Sequence, residues 1–135
     1  MNISLGKLKD IENFDELAKE HWLAFNTKAP TFNKEFLQTL EVVIAKEEET
    51  VGYLFFFMYV SPYTAEKTCQ ADLYYLKPSY RGKGIGTKMF TFLEQTAKEQ
   101  GCKRLVSSIN LKLNTENFYK QLGYTNTHLA VAKEI

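Results

Sequence analysis

The sequence predicts an α/β fold: one mixed sheet of six to seven strands flanked by about four helices, in the order β-α-α-β-β-β-α-β-α-β. Three observations lead there. Segments that alternate apolar and polar residues are interspersed with segments of three-four apolar spacing. A strand, a glycine-rich turn, a helix and a further strand follow one another between Lys67 and Ile109. That is the layout of a right-handed crossover joining two parallel strands. Finally, 135 residues with 44% hydrophobic and 24% charged side chains can bury one real core. No repeat, linker or low-complexity tract divides the chain, so residues 1–135 read as a single domain.

Each element has its own signal. Ile3 and Leu5 alternate with Ser4 and Lys7 in a first strand over Asn2–Leu8. Asp10 can cap a helix starting at Ile11, whose apolar stripe is Phe14, Leu17, Ala18, His21, Trp22 and Phe25. Ala29-Pro30 breaks the chain. A short helix follows over Asn33–Leu40, with Phe36, Leu37 and Leu40 facing inward. Val42–Lys46 is a strand, Glu47–Thr50 a charged turn, and Val51–Val60 a strand apolar on both faces and therefore central. Lys67–Leu76 alternates, with Cys69, Ala71, Leu73 and Tyr75 on one face and Thr68, Gln70, Asp72 and Tyr74 on the other. A Pro/Gly-rich turn leads into a helix over Ile85–Gln100, which Gly101 ends. Arg104–Ile109 is a strand, Thr115–Leu122 a helix ended by Gly123, and Tyr124–Lys133 the last strand or two.

Composition narrows the function classes. The net charge of +1 argues against a general nucleic-acid binder. The charge is unevenly placed: residues 1–67 carry −4 and residues 68–135 carry +5, with both arginines, Arg81 and Arg104, in the second part. Cys69 and Cys102 lie far apart without neighbouring His, which fits two reduced thiols rather than a disulfide framework or a metal site. The N-terminus lacks a signal-peptide apolar region, and the run Val51–Val60 is far short of the roughly 20 residues of a membrane span. A soluble cytoplasmic protein without a membrane partner is expected.

The chemistry concentrates in Tyr80-Arg81-Gly82-Lys83-Gly84-Ile85-Gly86. Glycines permit positive φ and leave the backbone N–H groups uncovered. Successive N–H groups at a helix N-terminus form an anion nest, aided by the helix dipole. Arg81 and Lys83 add positive charge. The segment therefore points to a phosphate or pyrophosphate ligand. Its G-x-G-x-G spacing differs from the dinucleotide fingerprint and from the Walker loop.

Arg81-Gly82-Lys83-Gly84-Ile85-Gly86 resembles the acetyl-CoA pyrophosphate loop, R/Q-x-x-G-x-G/A, of the GNAT superfamily of acetyltransferases. Tyr75-Leu76-Lys77-Pro78 resembles that family's strand end, and Asn114-Thr115-Glu116-Asn117-Phe118-Tyr119-Lys120-Gln121-Leu122-Gly123-Tyr124 its C-terminal motif, aromatic-Tyr-x-x-x-Gly-aromatic. The two motifs lie in the family's order between Cys69 and Tyr124. The family's Asn and Ala before the motif Tyr fall on Lys112 and Thr115 here, with Asn114 beside them.

The resemblance implies the GNAT fold and direct transfer of an acetyl group from acetyl-CoA to a primary amine. It implies cofactor contacts at Tyr75, Leu76, Lys77, Arg81, Gly82, Lys83, Gly84, Ile85, Gly86, Asn114 and Tyr119. Pantetheine would pair with the strand near Tyr75, Leu76 and Lys77, and the Leu76 N–H would stabilise the oxyanion. Tyr119 matches the family's general acid, against a simple packing role. Asp72, the one carboxylate on its strand, is the candidate base, against a solvated surface Asp. His21 and His128 read as ordinary polar residues, with His21 bordering the acceptor cleft of such a fold. Trp22, Phe25 and Phe32 are candidates for lining that cleft. The acceptor is left open among small amines, peptides and proteins. A homodimer is compatible with the family, and no metal is implied. A catalytically silent acyl-CoA-binding regulatory module is the competing reading. On the main reading, the +5 half holds the polyanionic cofactor and the −4 half flanks a cationic acceptor.

Overall fold

The computed structural model describes residues 1–25, 32–109 and 115–135. Among the described residues five strands form one sheet: β1 (Asn2–Gly6), β2 (Glu41–Lys46), β3 (Thr50–Val60), β4 (Lys67–Leu76) and β5 (Arg104–Ser107), side by side in that order. The first four are antiparallel neighbours, and β5 runs parallel to β4 as the crossover demands. The α-helices among the described residues are α1 (Phe14–Phe25), α2 (Lys34–Leu37), α3 (Ile85–Glu99) and α4 (Glu116–Gln121).

The sheet is smaller than the six to seven strands expected. No strand forms over 124–133. Leu129 and Val131 would share one face of such a strand, but with no strand paired beside them both stay exposed. The helix starts also differ. Asp10 caps a 3-10 turn at Leu8–Asp10, its carboxylate accepting from the Lys7 N–H at 2.8 Å, and α1 begins only at Phe14. In α2, the Asn33 side chain accepts from the Phe36 N–H at 3.1 Å. The helix lasts one turn, which leaves Phe36 half exposed rather than inward while Leu37 and Leu40 are buried.

β3 lies at the centre, as its two-faced apolarity predicts. Tyr53 and Phe55 pack with Phe14, Leu17 and Leu37 on the α1–α2 side. Leu54 and Phe56 pack with Met89, Phe90 and Leu93 on the α3–α4 side. α3 ends in a Schellman motif: Gly101 takes a φ of +84°, its N–H bonds Lys98 C=O, and the Cys102 N–H bonds Ala97 C=O.

The plain alternation expected in β4 does not hold. Phe55 pairs with Leu73 and Phe56 with Ala71, so Asp72 is bulged out of the ladder. Before it, Cys69 and Ala71 face α3; after it, Leu73 and Tyr75 face α1, and Leu76 faces α3. Beside the strand end, Gly52 leaves no room for a side chain. A Cβ there would lie 3.0 Å from Tyr75 O and 2.9 Å from Leu76 Cδ1. Gly52→Ala should therefore destabilise the fold by about 1–3 kcal/mol, measured as a lower urea midpoint at unchanged m-value.

Candidate functional site

The β4–β5 ladder runs from Thr68↔Arg104 to Ala71↔Ser107 and stops there. β4 continues to Leu76 without β5 beside it. A cleft of about 680 Å³ occupies this fork, bounded by β4, the end of β5, the loop before α3, α4 and the α1 residues His21 and Ala24.

Antiparallel ladders send alternate amides to opposite sides. The Lys77 N–H bonds Val51 O at 2.9 Å, one register step from the Gly52↔Leu76 pair. Tyr75 O lies close to Gly52, so the Tyr75 backbone faces β3. The backbone groups of Tyr74 and Leu76 therefore face the fork. Two of the strand residues expected to contact a cofactor, Tyr75 and Lys77, thus present no backbone N–H to the fork. Tyr75 turns its amide away from the cleft and contributes its side chain. Lys77 spends its N–H on Val51, its C=O on the Tyr80 N–H, and its ammonium on Glu49 at 3.5 Å.

The glycine-rich loop adopts the conformation that its sequence requires. Gly82 and Gly84 have φ of +76° and +81°, and Gly84 is the N-cap of α3. The first helical hydrogen bond runs from Lys88 N–H to Gly84 C=O. The N–H groups of Ile85, Gly86 and Thr87 are left without an intrahelical partner. Ile85 itself is a core residue, so its side chain anchors the helix start. Gly86 lies under the Tyr74 hydroxyl and 3.3 Å from Phe118, counted to the Cβ it lacks. Any side chain there would fill the floor of the cleft. The Arg81 N–H is already bonded to Pro78 O at 3.2 Å. The Arg81 Nε donates to Leu76 O at 2.9 Å, and its guanidinium lies 5.5 Å from the Tyr75 ring centre. The Lys83 ammonium lies over the Tyr80 ring.

On the α3 side, Tyr74 stacks parallel on Phe118, and both pack edgewise against Phe90. Tyr119 is buried in the same cluster. Burial raises the pKa of its hydroxyl above the ordinary phenol value, opposed by a hydrogen bond with Ser107 at the end of β5. The helix carrying it is closed by Gly123 at φ +92°, with the Tyr124 N–H bonded to Tyr119 O. Asp72 is exposed and borders the cleft from the bulge. Asn114 lies outside the described residues, as does the side chain of Phe25.

On the α1 side, His21 is only 2% exposed. Its Nδ1 lies 2.7 Å from the Tyr53 hydroxyl, and its ring stacks on Tyr75 at 4.8 Å and 18°. Burial, then the Arg81 charge, lower its pKa to about 4. The ring is thus neutral at pH 7. Burial likewise raises Tyr53, so that phenol keeps its proton and shares a hydrogen bond with Nδ1. The Tyr75 hydroxyl donates to Glu20 Oε2 at 3.1 Å; burial and this bond push its pKa up to about 12. Phe32 packs against both His21 and Trp22. Sequence reasoning missed Glu20, Ser107 and the Tyr74–Phe118 stack. Their signal is long-range, because each partner lies on an element distant in the chain. Among the described residues no group of three or more His, Cys, Asp or Glu side chains gathers as a metal site. No described helix is long and apolar enough to cross a membrane.

Residues 8–124 match the acetyltransferase (GNAT) family, so the chain belongs to it. A mouse (Mus musculus) thialysine N-epsilon-acetyltransferase is 36% identical over 75 residues, 54% of this chain and 43% of that protein. The pig (Sus scrofa) protein of the same name is 35% identical over the same shares. The match thus spans less than half the length of these curated relatives. Among solved structures, a ribosomal-protein-alanine N-acetyltransferase from Brucella melitensis superposes with a TM-score of 0.83 at 22% identity, covering 99% of this chain and 98% of that one. An aminoglycoside N-acetyltransferase in complex with CoA has a TM-score of 0.76 at 18% identity, covering 99% and 98%. At these identities, the likeness is one of fold.

Burial of neutral His21 links stability to pH. An unfolded imidazole gains its proton near 6.5 and the folded one near 4, so the unfolded state binds more protons between these values. Stability should fall by about 2–3 kcal/mol from pH 7 to 4.5 on this account. His21→Gln should flatten that slope in urea titrations at the two pH values.

Proposed function

We propose that this GNAT-family chain transfers an acetyl group from acetyl-CoA to a primary amine. The observation that carries the reading is the fork itself. An unpaired strand edge at Tyr74 and Leu76 runs toward a glycine-floored nest of free N–H groups at the α3 N-terminus. A long, flexible, amide-bearing ligand ending in a pyrophosphate fits both parts. The strand edge offers the pairing groups that amides need, and the nest favours anionic oxygens.

In this reading the N–H groups of Gly82, Lys83, Gly84, Ile85 and Gly86 hold the pyrophosphate, with Lys83 supplying charge. Acetyl-CoA supplies an acyl group activated as a thioester. The Leu76 N–H donates to the negative charge that develops on the acyl oxygen. Tyr119 keeps its proton at neutral pH and gives it to the departing sulfur. A thiol of ordinary pKa, near about 8.5, needs only modest help to leave. Asp72, exposed at the mouth of the fork, takes the proton of the amine, directly or through water. His21, Ala24, Leu73 and Tyr75 form the wall on the acceptor side.

Thiol release from acetyl-CoA, measured across polyamines, aminoglycosides, amino acids, peptides and lysine-bearing proteins, tests this. Thialysine belongs on the panel because it appears in the names of the curated relatives. Tyr119→Phe should lower kcat roughly 10²–10⁴-fold with little change in coenzyme A affinity by calorimetry. Coenzyme A binding without turnover on any acceptor would instead support a silent acyl-CoA-binding module. Absence of binding heat and of thermal stabilisation at about 1 mM coenzyme A would remove both readings.

A further inference from the structure

We infer that Arg81 is a positioning residue that fixes the open end of β4, and that its side chain is not a pyrophosphate ligand; the inference rests on the acetyl-transfer reading. Leu76 presents two backbone groups to the fork, an N–H and a C=O. The C=O is occupied by the Arg81 Nε at 2.9 Å. This leaves the N–H as the Leu76 group open to an incoming acyl oxygen, with its carbonyl no longer competing for polar partners there.

The anchor on which Arg81 rests is rigid. Its guanidinium lies over Tyr75. That ring is stacked on His21 and tied through its hydroxyl to Glu20. His21 in turn shares a hydrogen bond with Tyr53 on the central strand. The Arg81 N–H closes the turn on Pro78 O. The guanidinium thus rests on β4, and through Tyr75 and His21 that contact is backed by α1 and β3. A side chain held by a strand carbonyl and an aromatic face is committed to the strand end. The free amides of the nest begin one residue later, at Gly82.

A charge-bearing phosphate ligand and a hydrogen-bonding latch respond differently to substitution. Arg81→Met removes both donor and charge, Arg81→Gln keeps a donor without charge, and Arg81→Lys keeps charge without the planar fork. On the latch account, Arg81→Met lowers kcat on the order of 10- to 100-fold and leaves coenzyme A affinity within about twofold. Arg81→Gln then recovers more of kcat than Arg81→Lys does. Amide hydrogen exchange at Lys77, whose N–H shares the peptide unit of the latched Leu76 carbonyl and bonds Val51 O, should also accelerate in Arg81→Met in the cofactor-free protein. The inference is overturned if Arg81→Met weakens coenzyme A binding at unchanged kcat and Arg81→Lys restores it where Arg81→Gln does not. Unaltered exchange at Lys77 overturns it as well. Because exchange is read without cofactor, that arm judges the latch even if wild-type protein binds no coenzyme A, a result that would instead sink the acetyl-transfer reading.

Discussion

Asp72 occupies one position too many in β4, and the site depends on that extra residue. A strand has period two, so inserting one unpaired residue exchanges the two faces for everything downstream. With the bulge, Tyr75 meets His21 on the α1 side and Leu76 turns its side chain toward Met89 and Leu93. The bulge also switches the amides. Ala71 O accepts from the Ser108 N–H on the β5 side. Without the bulge, the same parity would aim the Tyr75 and Lys77 amides into the fork. With it, those of Tyr74 and Leu76 point there. The residue that creates the switch is also the carboxylate left exposed at the mouth.

Much of this architecture is legible in the sequence because it rests on local periodicity. β4 has the bounds that its alternation predicts, and α3 is off by one residue at its end. The glycine turn is readable too, because positive φ at Gly82 and Gly84 is a demand that few other residues meet. The bulge is not readable, since Gln70-Ala71-Asp72-Leu73 alternates as a regular strand would. Its cause is the pairing with β3, a non-local fact. The Glu20–Tyr75–Arg81 connection is hidden for the same reason: Glu20 and Tyr75 are 55 residues apart in the chain. The last strand fails for the opposite reason. Alternation is present in 124–133, but alternation alone does not supply a neighbouring strand to pair with.

The uneven distribution of charge along the chain has a more specific outcome than its sums suggest. In the acidic half, Asp15 pairs with Lys34, Glu49 with Lys77, and Glu47 accepts from the Tyr80 hydroxyl. The last two brace the turn that precedes the nest, so part of the acidic half supports the basic one. Glu20 is the acidic-half carboxylate that reaches the wall of the cleft through Tyr75. In the basic half, Arg81 and Lys83 both lie over tyrosine rings, which holds two flexible cations near the loop at low conformational cost.

His21 fastens α1 to the sheet from inside the helix, by a buried hydrogen bond to Tyr53 and a stack on Tyr75. The wall that α1 and Tyr75 share is therefore built from side chains, whereas the opposite end of the cleft is built from glycines and backbone amides. Substitution can reshape the first without moving the second. On the proposed acetyl-transfer reading, a directed-evolution library aimed at new acceptors would do well to begin beside His21, at Ala24 and Leu73, and to leave the imidazole alone.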